Sequence, residues 1–177
     1  MIGDDRPIDP CNHNEPYLRA MKQAIYVRDL CQLIVEDSFD EWAIKYGTSE
    51  DREKHLLNMT LYALHFLQPF GVESALKAIL QKEGRYSASE HRTHHLHRLF
   101  MSIQEDTKHR LTQVFFRRTR KGLPGILKRH HDDFVKWRYL EEDAANPSDL
   151  DIATFNTIID ACIDLLQVDA CDCGQST

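Results

Sequence analysis

The sequence has little glycine and little proline, seven and six residues in 177, and no unbroken apolar run of about 18 residues that could span a bilayer. With no such span and an ordinary apolar content, the chain reads as soluble and globular. Its first residues, MIGDDRPIDPCNHNEP, lack the basic patch and apolar stretch of a secretory signal, so a cytoplasmic location is expected. No segment alternates with period two and no repeat recurs at a fixed interval, which removes the usual signals for strands and repeat arrays.

A disulfide framework is also missing. Cysteines number five, an odd count; Cys11, Cys31 and Cys162 stand singly on or near apolar helical patterns, where a buried free thiol is the common outcome. Cys171 and Cys173 form a C-x-C with no second pair of ligands nearby, and are read as part of a tail. A chain of this length buries a core without metal or disulfide, so stability is no argument for either.

What the sequence does contain is helical periodicity. From Pro16 to Tyr46, Leu18, Met21, Ile25, Leu30, Leu33, Ile34, Trp42 and Tyr46 recur at helical spacing, begun by Pro16 and ended by Gly47. A second apolar line runs through Leu57, Leu61, Leu64, Leu67, Val72, Leu76, Ile79 and Leu80, with Pro69 and Gly71 predicting a kink or two helices end to end. Thr93 is the expected cap of a third helix built on Leu96, Leu99, Phe100 and Ile103. A fourth is expected from about Glu105 to Arg120, a fifth from about Leu123 to Asp143, and a sixth burying Phe155, Ile158, Ile159, Cys162, Leu165 and Leu166. The expected fold is all-α, a bundle of five to seven helices built on two long antiparallel helices. It is divided into a loosely attached segment 1–15, one domain over 16–169 and a flexible tail 170–177.

Charge is uneven. The net charge is −6, yet between Lys82 and Arg138 there are fourteen Lys/Arg against six Asp/Glu, and beyond that none against nine. A basic middle can hold a phosphate-rich partner, or the acidic last helix can lie across it. Arg117, Arg118, Arg120 and Lys121, with Lys128, Arg129 and Lys136, are the candidate phosphate contacts. Phe115 and Phe116 adjoin them, as core residues or as stacking platforms.

The stretch HRTHHLHRLF raises the question of a metal. On a helix, His91 with His95 and His94 with His97 would each share a face, but zinc needs further ligands from a neighbour, and nothing in the spacing supplies them from His130, His131, Asp132 or Asp133. Nor do the E-x-x-H pairs of di-iron bundles occur on two helices. No metal and no cofactor are expected.

The stretch GVESALKAILQKEGRYSASEHRTHHLHRLFMSI resembles the centre of a HEPN domain (higher eukaryotes and prokaryotes nucleotide-binding). Glu73, Lys77, Ala78, Leu80, Gly84, Thr93, His94, Leu96 and Leu99 match its pattern, with His95 where Asp is usual. FVKWRYLEE, residues 134–142, resembles a later stretch of some branches, and the likeness covers about residues 50–168. It implies a helical bundle that is usually a homodimer and binds or acts on RNA or nucleotides. The implied partner is a cognate antitoxin or a nucleotidyltransferase, within prokaryotic defence or toxin–antitoxin systems.

Active members of the family are metal-independent endoribonucleases that use an arginine and, after four to six intervening residues, a histidine on a late helix. Here the arginine is Arg138 and no histidine follows; Glu142 stands at the approximate position, a poor proton donor at neutral pH with an unperturbed pKa of about 4.3. Arg138 can equally pair with Glu142 one helical turn on as a structural clamp. Arg85 with His91 and Arg92 with His97 have the right spacing but fall too early in the chain. The expectation is therefore an RNA- or nucleotide-binding protein without the standard nuclease site. Arg138, Glu142 and His94 remain as candidates for a non-standard one. The alternatives are an active endoribonuclease pairing Arg138 with His94, His130 or His131, and a non-catalytic interaction bundle.

Overall fold

The computed structural model describes residues 15–37, 50–91, 93–131 and 152–166. These residues form six helices and no strand: α1 (Pro16–Asp37), α2 (Glu50–Lys82), α3 (Leu96–Ser102), α4 (Glu105–Thr119), α5 (Leu123–Arg129) and α6 (Ile152–Leu166). The fold is an all-α bundle, and among the described residues no helix is long and apolar enough to cross a membrane.

Pro16 opens α1, where its missing N–H costs nothing and its fixed φ suits a helix. Met21, Ala24, Val27 and Cys31 then recur every third or fourth residue and are buried, which gives α1 one apolar stripe. That stripe meets α2 in reverse order: Tyr17 lies under Lys82, Val27 beside Gly71, and Cys31 clusters with Leu64. Gly71 makes the close approach possible. A Cβ there would come within 3.0 Å of both Ile159 Cδ1 and Val27 Cγ1, so α1, α2 and α6 converge where the side chain is absent.

Two boundaries differ from the sequence expectation, and at Pro69 one of its two alternatives falls: α2 runs unbroken, so there are not two helices end to end. A helix-interior proline forfeits a hydrogen bond and costs about 3 kcal/mol. Burial of Leu64 on one side of it and Val72, Ala75, Leu76 and Ile79 on the other supplies packing that holds the axis together. α3 starts at Leu96 and is capped at His95, not Thr93; Thr93 Oγ1 accepts the His95 amide, and His95 is extended (φ −78°, ψ 99°). α5 stops at Arg129 instead of running to Asp143, because His130 turns into the core against Phe155 and the His131 carbonyl accepts the Leu96 amide. Phe134, Trp137 and Leu140 lie outside the described residues, as do the end of the first predicted helix after Asp37 and the segments 1–14 and 167–177.

The end of α2 shows why Gly84 is needed. With φ +65° it turns the chain left-handed, and the Arg85 and Tyr86 amides both return to the Leu80 carbonyl. α6 seals the core, burying Phe155, Ile158, Ile159, Cys162 and Leu166 while Leu165 is only partly covered. Its acidic face pairs outward, Asp160 accepting from Arg28 and Asp164 from Arg118. Burial alone would lower the Arg28 pKa, but hydrogen bonds to Asp29 and Asp160 outweigh it and leave the guanidinium above its ordinary value.

Candidate functional site

The histidine-rich stretch separates into residues with different tasks. His91 is buried, accepts the Ser87 amide at Nδ1 (2.9 Å) and stacks on Tyr86; it closes the loop after α2. Leu96, Leu99 and Phe100 enter the core. His95 leaves the stretch sideways and stacks on His131, ring centroids 5.7 Å apart. His94, one residue before, reaches α2.

There His94 Nδ1 lies 2.9 Å from Glu73 Oε2, and Lys77 Nζ donates to Glu73 Oε1 at 2.6 Å. The Glu73 side chain is only 4% exposed, against 18% for Lys77 and 40% for His94. A carboxylate only accepts, so the Glu73 contact makes Nδ1 the donor nitrogen of His94. This is the way a carboxylate orients a histidine for proton transfer, and Lys77 keeps the buried charge compensated. Glu73 and Lys77 belonged to the family pattern but were given no task by sequence reasoning. The signal was present: two opposite charges four residues apart inside the apolar run FGVESALKAIL, where charge is rarely buried unless paired.

The candidate cations fall into two groups around α5. Arg117 and Arg118 end α4, Arg120 and Lys121 form the turn, and Lys128 and Arg129 end α5 beside His131, whose Nδ1 lies 2.9 Å from the Lys128 carbonyl. Arg118 is taken by Asp164 and Lys121 Nζ donates to Thr154 Oγ1 (3.0 Å). Two of these cations are therefore engaged by α6. Among the described residues no carboxylate pairs with Arg117, Arg120, Lys128 or Arg129, and all four are exposed. Arg138, Glu142 and Lys136 lie outside the described residues.

The two phenylalanines divide. Phe115 is fully buried in the core, whereas Phe116 is 47% exposed, with the Arg120 guanidinium 5.9 Å from its ring centroid.

Among the described residues no three His, Cys, Asp or Glu side chains are placed to hold a metal ion. Cys31 and Cys162 are buried free thiols; burial raises Cys31 to about 11 and pushes Cys162 up further, so neither offers a thiolate at neutral pH.

Fold and site together define an all-helical bundle with an oriented histidine and an exposed basic turn. No family model matches the chain, and no curated protein or solved structure matches it.

Proposed function

We propose that this chain is a HEPN-like helical protein that binds RNA or a nucleotide through the cations of its middle helices and lacks the standard ribonuclease pair. The observation that supports this best is the set Arg117, Arg120, Lys128 and Arg129, exposed and without a carboxylate partner among the described residues. Unpaired surface cations release counterions when phosphates replace them, and that release drives binding without reading sequence. The two groups flank α5, seven residues long, or about 10 Å at 1.5 Å per residue. The family resemblance adds a homodimeric state and a cognate antitoxin or nucleotidyltransferase as partner.

One observation favours a second reading, an active endoribonuclease. Glu73 accepts from His94 Nδ1, and Nε2 would take the 2′-hydroxyl proton as that oxygen attacks phosphorus and the P–O5′ bond breaks, the 5′-oxygen leaving with a proton from water and Arg138 neutralising the charge that develops.

Purified protein incubated with mixed RNA in EDTA, with retardation and cleavage read on one gel, separates the readings. Retardation without cleavage is expected. Cleavage in EDTA that is lost in both Arg138→Ala and His94→Ala would establish the ribonuclease instead; neither effect would leave the interaction bundle.

A further inference from the structure

We infer that Phe116 and Arg120 form a stacking site for an unpaired base of single-stranded RNA; this rests on the proposed RNA-binding reading and gives it a ligand class. On a helix, neighbouring residues point about 100° apart, so of the pair Phe115–Phe116 one ring enters the core and the other faces out. The outward ring stands next to charge on several sides. Arg117 follows it, Arg120 lies against it and Lys121 comes one residue later, while among the described residues Asp164 is the one carboxylate paired nearby and it is engaged by Arg118.

Arg120 is the single non-glycine residue with positive φ (58°) among the described residues. At that helix end glycine is the usual residue, and any side chain costs energy in the left-handed region. The turn nonetheless carries an arginine. Its backbone amide returns to the Phe116 carbonyl at 2.8 Å, and its guanidinium is held 5.9 Å from the ring centre. The result is a flat aromatic ring with a planar cation over one face and further cations within a turn. Proteins that bind unpaired nucleic acid use this chemistry: the ring takes the face of a base, arginine adds to the stack, and the remaining cations meet phosphates. A duplex keeps its bases stacked on each other and cannot use such a ring, so the site selects single strands.

The test measures binding of an unstructured oligouridine and of an RNA duplex of the same length to wild type, Phe116→Ala, Phe116→Trp and Tyr26→Ala. Tyr26, on α1, is an exposed ring that serves as the control for losing surface apolarity. Phe116→Ala is expected to weaken oligouridine binding roughly tenfold at constant salt, with duplex binding unchanged; Phe116→Trp keeps the wild-type affinity or tightens it, and Tyr26→Ala changes neither. Oligouridine binding unaffected by Phe116→Ala, or an equal loss for both RNAs, would overturn the stacking site while leaving the basic-surface reading in place. Absence of binding to either RNA by wild type would remove the reading itself. Since Phe116 is exposed, an unchanged thermal transition certifies that the variant is folded.

Discussion

Glu73→Ala lowers the unfolding free energy by about 3 kcal/mol, the lower end of the range for breaking a buried ion pair by removing one partner. The reason is the cation left behind. With Glu73 gone, the Lys77 ammonium sits on a mostly buried stretch of α2 without a counter-charge, and His94 loses its contact to α2. Lys77 is 18% exposed and His94 40%, so both can regain some water, which keeps the loss from the upper end. Urea denaturation measures it. Glu73→Leu combined with Lys77→Met is expected to recover most of the loss, because an apolar pair of similar size carries no desolvation penalty. A double variant as unstable as the single one would show that the pair does more than balance its own burial.

Phe155→Ala is expected to cost about 3–5 kcal/mol, the range for emptying a large aromatic site in a core. Phe155 is among the largest fully buried side chains and receives the edge of His130, ring centroids 5.2 Å apart. Its ring thus joins α6 to the point where α5 ends. The cavity would loosen the residues after Lys128 and Arg129 as well as the core, so RNA affinity is expected to fall at temperatures where the variant is still folded. Phe155→Leu, which refills most of the volume, is expected to cost less than half as much. Equal losses for the two variants in chemical denaturation would contradict the packing argument.

The helical class was legible in the sequence because apolar residues recur at three- and four-residue spacing, but the face of α1 was not: of the line read there Met21 is buried while Leu30 and Leu33 are exposed, and the stripe that enters the core is Met21, Ala24, Val27 and Cys31. The start of α3 was not legible. Thr93 has the side chain of a cap, but His94 hydrogen-bonds Glu73, 21 residues away in sequence, and the cap falls two residues later, at an extended His95. The end of α5 was hidden for a similar reason: local periodicity continues past His130, while the contact that turns it inward comes from Phe155 on α6. At Pro69 the sequence left a kink and a break both open, and burial on both sides of it goes with an unbroken helix. The roles of the phenylalanines followed only once helix phase fixed which ring faced the core. For the candidate site, charge counts located the basic region. They could not show that Asp164 takes Arg118 and leaves Arg117 and Arg120, because that depends on how α6 lies against α4.

The central claim is that the exposed cations around α5 bind nucleic-acid phosphates, and the most direct measurement is the salt dependence of RNA binding. The affinity of wild type and of the Arg117→Ala, Lys128→Ala, Arg129→Ala triple variant for one single-stranded RNA would be measured across a range of salt concentrations. Each phosphate contact on a single strand contributes about 0.7 to the slope of log affinity against log salt, so the triple variant should bind more weakly with a slope shallower by about 2. An unchanged slope, or no binding by wild type at low salt, would contradict the account.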